Sequence, residues 1–421
     1  MTETITLSPG VTLRAFQDSR FKQGALSVQF VRLMSSQEAA QNALLPSLLL
    51  RGTRRCPTLR AITEHLDMLY GASVSPLVRR IGDYQTTGLY LSFIDDRFAL
   101  PGDQVLAPMV SFLGEILLEP LTENGGFVPA LVESEKKNLI STIESDLNDK
   151  RAYAIGQLLK IMCREDTFGI PRLGETEQVE AITPDGLWHH YQDVLHSNPV
   201  EIFYVGSREP RQAADLLAPV FDGLAKALSP LPRQSPLRLG DKADRVENMD
   251  VSQGKLCMGF VTPITNRMQE FPAMQVMNTL FGSGMTSKLF MNLREKMSLC
   301  YSIGSGYYGS KGIVAVSAGI DSQQEEVTRR EVLNQLEACR RGDISDEELT
   351  AAKEALLSTL RATHDSPSAI EGYYATAALS GLGMTPQDYM DAICKVTRQE
   401  VVSAANSLTL HTTYFLKGGC Q

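Results

Sequence analysis

Along the first hundred residues the apolar positions change period several times, and each change marks an element. Leu26, Val28 and Phe30 alternate with Ala25, Ser27 and Gln29, the period of a strand with one buried face. Helical stretches follow at 37–50 and 58–69, then strands at 72–79 and 85–93. In the second of these strands Thr87, Leu89, Leu91 and Phe93 share one face. From 102 to 118 the spacing becomes i, i+3, i+4 through Val105, Leu106, Met109, Val110, Leu113, Ile116 and Leu117, and it stops before Pro120. A further helix is predicted over 128–150, and the apolar run at 200–205 reads as a buried strand.

The same order returns in the second half. A strand at 254–262 leads to helices at 270–281 and 285–297, strands at 299–307 and 312–320, helices at 324–341 and 345–363, and a last strand at 412–416. Strand, two helices, a hairpin, two helices and a strand, read twice, predict an α+β fold. It is built from two similar domains, each a mostly antiparallel sheet with helices packed on one face. Residues 229–250 hold three prolines and many charges without an apolar period, the composition of an extended linker. The expected division is therefore 1–228, a linker at 229–250, and 251–421.

Composition narrows the function. With 43% hydrophobic and 21% charged residues, the chain can bury a sizeable core. Its 40 basic and 49 acidic residues leave a net charge of −9, which disfavours nucleic acid or an anionic membrane as partner. No apolar stretch has the length to cross a bilayer, and the first ten residues carry no signal-peptide pattern. The seven cysteines are scattered and never form Cys-x-x-Cys, so a cytoplasmic, reduced setting is expected. Phosphate-loop, nucleophile-elbow and dinucleotide-binding motifs are absent. The six histidines offer no pair three or four residues apart, so no helix face presents two imidazoles to one metal.

The most specific segment is 281–308, FGSGMTSKLFMNLREKMSLCYSIGSGYY. Gly282 and Gly284 separate two helices, and Arg294 and Tyr301 flank a helix-to-strand turn. This segment resembles the C-terminal-half signature of the pitrilysin/insulinase-type zinc metallopeptidases. The doubled order of elements fits that family over essentially the whole chain. Among its members the likeness is to the bacterial group named for elongation factor P modification.

Active members of that family carry His-x-x-Glu-His ahead of a Phe-x-Gly-Thr ending. Here Leu50-Arg51-Gly52-Thr53 matches the ending, and the ligand and base positions become Ala43, Pro46 and Ser47. The best counterpart of the family's later glutamate ligand is Glu135, expected as a solvated helix residue once its partners are gone. Pro46 is expected in the first turn of its helix, where a missing N–H is harmless. No catalytic zinc or other cofactor is expected in this chain.

The resemblance implies a zinc-motif-lacking subunit that is inactive alone and dimerises with a homologous zinc-bearing subunit acting on peptides. Arg294 and Tyr301 would contact substrate in trans, and Gly282 and Gly284 would lie along it. The alternative is a structural or peptide-binding subunit of the same fold. In that case Arg294 pairs with the neighbouring glutamate and Tyr301 is a plain sheet residue.

Overall fold

A computed structural model describes residues 2–418 except 223, 225–227, 229–230 and 232–233. In chain order the first half contains β1 (Thr2–Ser8), β2 (Val11–Gln17), β3 (Gln23–Leu33), α1 (Ala39–Leu49), α2 (Leu59–Met68), β4 (Ser73–Ile81), β5 (Tyr84–Ile94) and α3 (Leu106–Leu118). The two-residue strands β6 (Thr122–Glu123) and β7 (Gly126–Phe127) precede α4 (Pro129–Asp146), α5 (Lys150–Met162), α6 (Thr176–Glu180), α7 (Pro184–Ser197), β8 (Val200–Gly206) and α8 (Pro210–Phe221).

The second half contains β9 (Ala243–Met249), β10 (Gly254–Val261), α9 (Phe271–Phe281), β11 (Cys300–Tyr308), β12 (Ile313–Ile320), α10 (Glu325–Arg341) and α11 (Asp346–Ala362). It closes with α12 (Pro367–Ser380), α13 (Pro386–Lys395), α14 (Arg398–Ser407) and β13 (Thr409–Gly418).

The α+β class is as expected. One sheet runs β1-β2-β8-β3-β5-β4 and the other β11-β12-β10-β13-β9. Pairing is antiparallel except for β2 with β8 and β13 with β9. The alternation read from the sequence sets the buried face of the first sheet. Leu26, Val28 and Phe30 of β3 and Leu89, Leu91 and Phe93 of β5 join one apolar core with Leu44, Leu45 and Leu48 of α1 and Met109, Val110 and Leu113 of α3. Within the stretch read as linker, residues 243–249 form β9, an edge strand parallel to β13. Its exposed, charged side chains carry no apolar period, so only the pairing makes it a strand.

The chain forms two compact units, and neither is a continuous segment. Unit 1 comprises Met1–Glu144, Ile170–Gln234 and His364–Thr376; unit 2 comprises Ser145–Gly169, Ser235–Thr363 and Ala377–Gln421. Each unit thus incorporates a segment from the opposite half of the sequence. In unit 1 this segment covers the second face of the sheet, where Ser27 and Gln29 of β3 bond Glu371. In unit 2 the segment containing α5 packs on Cys257, Ala315, Tyr414 and Leu416 of the second sheet. Both faces of each sheet are therefore covered, one more than the alternation alone suggests.

Candidate functional site

In unit 1, α1 and α4 border a cleft of about 320 Å³. Ala43, Leu44 and Ser47 of α1, Glu135, Asn138 and Thr142 of α4, and Pro76 and Val78 of β4 line it. The structure thus brings Ala43, Ser47 and Glu135 together. Pro46 lies elsewhere, lining a small apolar void with Phe30, Leu49, Leu117 and Val194.

Pro46 is also not in the first turn of α1, as expected from the sequence, but in its interior. A proline there leaves the carbonyl four residues earlier, that of Asn42, without its helical donor. The Thr87 hydroxyl supplies one, donating to Asn42 O at 2.6 Å. The Asn42 side chain is held as well. Its amide donates to Gln85 Oε1 (2.9 Å) and its Oδ1 lies 2.8 Å from His190 Nε2. Burial holds the His190 imidazole below its ordinary pKa, which favours the neutral ring. Tertiary bonds from β5 and α7 thus fix a helix that its own sequence weakens.

Glu135 is not solvated. It is 5% exposed, its Oε1 lies 3.1 Å from Arg51 Nε, and the Asn138 amide donates to it at 3.0 Å. Arg51 stands in the LeuArgGlyThr ending, and nothing in its spacing to Glu135 announces the pair; only the packing of α4 beside α1 reveals it. The Gly-Thr half of that ending is structural. The buried Thr53 hydroxyl donates to Glu115 and accepts from Cys56 N (2.9 Å), and Arg55 Nε donates to the same carboxylate (2.7 Å).

The cleft does not fit a zinc ion. Ala43 and Pro46 have no donor atom, Ser47 offers only a neutral hydroxyl, and Glu135 is already neutralised by Arg51. Among the described residues, no three or more His, Cys, Asp or Glu side chains gather to hold a metal.

Unit 2 carries the second set of candidates. Residues 288–296 are helical, with a wider π-helical turn at Phe290–Lys296. The expected helix at 285–297 therefore begins later and unwinds at its end. Arg294 lies in this turn, 45% exposed at its side chain, with its guanidinium over the Phe290 ring at 4.8 Å. Its Nε is 3.8 Å from Glu295 Oε1, a loose exposed pairing.

Ser298, at φ 51°, reverses the chain, and Leu299 N donates to Leu293 O at 2.8 Å. Tyr301 then falls where the β11–β12 register shifts between Cys300 and Ser302, and it is 63% exposed. A bulge of this kind turns one side chain out of the pleat. Burial pushes the neighbouring Cys300 thiol up to about 11, and the nearby Arg294 charge opposes that shift.

Gly282 caps α9, and a Cβ there would sit 2.6 Å from Ser305 Oγ. Its carbonyl accepts from Ser305 N (2.9 Å), so this glycine serves the contact between the loop and β11. A Cβ on Gly284 would meet nothing within 4 Å.

Comparison with known proteins agrees with this geometry. Residues 181–356 match the model of the peptidase M16 inactive domain. The chain is 28% identical over 409 residues to a Bacillus subtilis (strain 168) protein named a probable inactive metalloprotease, YmfF, covering 97% of this chain and 96% of that one. It superposes with TM-score 0.92 on the crystal structure of a conserved protein from Enterococcus faecalis V583, at 27% identity and over 100% and 99% of the two chains. A chain of complex III2 from Candida albicans, with Inz-5 bound, shares the fold at TM-score 0.77 and 16% identity over 99% and 95% of the two. A helix whose ligand positions hold alanine, proline and serine, set in this fold, makes the chain similar to the inactive-type proteins of the M16 (pitrilysin/insulinase-type) peptidase family, without the zinc motif.

Proposed function

We propose that this chain is the non-zinc-binding subunit of a two-chain metallo-endopeptidase acting on peptides. A homologous subunit brings the zinc motif, and this chain brings Arg294 and Tyr301. The observation that carries the reading is the presentation of those two side chains. They flank one tight turn, one in a π-helical turn and the other on a bulge, and both face solvent. Ordinary packing asks for neither feature, and both recur at functional sites.

The chemistry suits charge stabilisation. A guanidinium and a phenol donate hydrogen bonds without changing protonation near neutral pH, so both can meet a substrate carbonyl as it gains negative charge. Gly282 and Gly284 bring the backbone of the adjacent loop alongside the same substrate. None of the six described cysteines is in a disulfide, which supports a cytoplasmic setting.

The test is cleavage by the reconstituted pair. Arg294→Ala and Tyr301→Phe should each lower kcat on the order of a hundred-fold while the two chains still co-purify. Wild-type rates in both variants would remove the reading. They would favour the alternative, a structural or peptide-binding subunit, which the Arg294–Glu295 pairing and the fold shared with a respiratory-complex chain support.

A further inference from the structure

Unit 2 holds a second polar cleft, of about 450 Å³, whose lining includes neither Arg294 nor Tyr301. The start of α5 (Asp149, Lys150, Arg151) and the β9–β10 connection (Asp250, Val251, Ser252, Gln253) with Lys255 line it. Beside it the sheet is almost bare, because β11 and β12 present Ser302, Gly304 and Gly319 there. A Cβ on Gly304 would lie 3.4 Å from an Arg151 guanidinium nitrogen. One on Gly319 would lie 3.1 Å from Lys255 Nζ and 2.9 Å from Ser302 Oγ. The missing side chains let both cations settle directly on the backbone.

Neither cation has an anionic partner. Among the described residues no carboxylate forms an ion pair with Arg151 or Lys255. Lys255 Nζ donates only to the neutral Gln253 Oε1, at 3.2 Å. Of the two acids in the lining, Asp149 is committed to the N-cap of α5, accepting from Arg151 N and Ala152 N at 3.0 Å each, and Asp250 forms no ion pair with either cation. Burial lowers the Lys255 pKa; the Asp149 charge opposes this, and the Arg151 charge adds to it. Two like charges held near one another in a cleft, in a protein of net charge −9, is an arrangement that an anion would relieve.

From this juxtaposition we propose that the cleft binds a carboxylate of a peptide, with Arg151 and Lys255 as its donors and the Gly304 and Gly319 backbone as the bed on which the two cations rest. A guanidinium presents a two-pronged donor edge that matches a carboxylate, and Lys255 adds a point charge beside it. The choice of a peptide ligand rests on the peptide-handling reading above. The cleft would anchor a peptide without taking part in its chemistry.

The test measures binding of fluorescein-labelled peptides to the full chain alone, with no partner subunit. Three versions of one neutral sequence are compared: a free C-terminus, a C-terminal amide, and an amide carrying one internal glutamate. The chain should bind at least one carboxylate-bearing version about tenfold more tightly than the plain amide, the scale of one charge-assisted bond. Which version gains tells whether a chain end or an acidic side chain is the ligand. Arg151→Gln and Lys255→Met, both at solvent-accessible positions, should each erase that preference without moving Tm, and Arg151→Lys should restore part of it. Equal binding of all three peptides, or a preference that survives both substitutions, overturns the proposal. The Arg294 and Tyr301 cleavage assay stands apart from this one, so either reading can fail alone.

Discussion

The two sheets hold the helices of their exchanged segments differently. On unit 2, α5 is held by packing. Ala154, Leu158, Leu159 and Met162 are buried against Cys257, Ala315, Ile313, Tyr414 and Leu416. Tyr153 of α5 and Tyr414 of the sheet donate their hydroxyls to Glu247 at 2.9 and 2.6 Å, and beyond the end of α5 the buried Asp166 pairs with the equally buried Lys311 at 3.0 Å. On unit 1, the segment 364–376 is held by charge. The Glu371 side chain is completely buried. It accepts from both terminal nitrogens of Arg79 (2.9 and 2.8 Å), from Ser27 Oγ (2.7 Å) and from Gln29 Nε2 (3.0 Å). Phe16 and Tyr374, with ring centroids 4.2 Å apart, add the aromatic contact.

An apolar dock tolerates repacking, whereas a buried carboxylate has one arrangement that satisfies it. Unit 1 therefore places its buried charge on the borrowed helix itself, whereas in unit 2 the buried charge, Asp166 on Lys311, lies past the end of α5.

The sharpest way to break this contrast is Arg79→Met, which strands a fully buried carboxylate. It should cost about 3–5 kcal/mol of unit 1 stability. The chain has a single tryptophan, Trp188, which packs against Phe127 in unit 1, so its fluorescence in a urea titration reports that unit. Pairing Arg79→Met with Glu371→Leu should recover much of the loss. If the double variant is as unstable as the sum of the two, the dock is not ionic.

Leu158→Ala tests the other side. It should cost about 3 kcal/mol through transfer and cavity terms, seen in the circular-dichroism transition, with the Trp188 signal moving less. Equal shifts of both signals would show that the units unfold together and blur the comparison.

The smallest effect concerns pH. The folded His190 pKa lies below the ordinary 6.5, so the unfolded chain takes up its proton first. Unit 1 stability is complete above pH 6.5 and falls as the pH drops below it. His190→Gln should flatten the slope of the Trp188-detected midpoint between pH 7 and 5, and an unchanged slope would exclude His190 as its source.

The sequence reading succeeded where burial is one-sided. For β3, β5 and α3 the apolar spacing follows directly from which face meets the core; the bounds of β5 nearly coincide with those expected, while β3 extends beyond 25–30 and α3 begins four residues later than 102. It failed where local pattern carries little information. β1 and β2, by contrast, do alternate, in TETITLS and VTLRAFQ. β9 has no buried face, and α5 and α12 are elements that the sequence pattern does not predict.

The candidate site divides in the same manner. The missing zinc donors at Ala43, Pro46 and Ser47 are plain in the sequence, because a side chain without a ligand atom lacks one in any fold. So is the presence of Arg294 and Tyr301 around a short turn. The π-helical turn and the bulge that present those two side chains are not legible, since both are departures from regular pairing set by neighbouring strands and turns.

By itself, then, the sequence determined the class of fold, its doubling and the loss of the metal-binding chemistry. These depend on side-chain identity and on the periods of two and 3.6 residues that local backbone geometry imposes. Tertiary structure alone decided that Glu135 pairs with Arg51 rather than with water, that Thr87 repairs the carbonyl Pro46 leaves open, and that each unit borrows a helix from the opposite half. Each of these joins residues between about 45 and 340 positions apart, and no local spacing rule relates groups that meet only once the chain has closed.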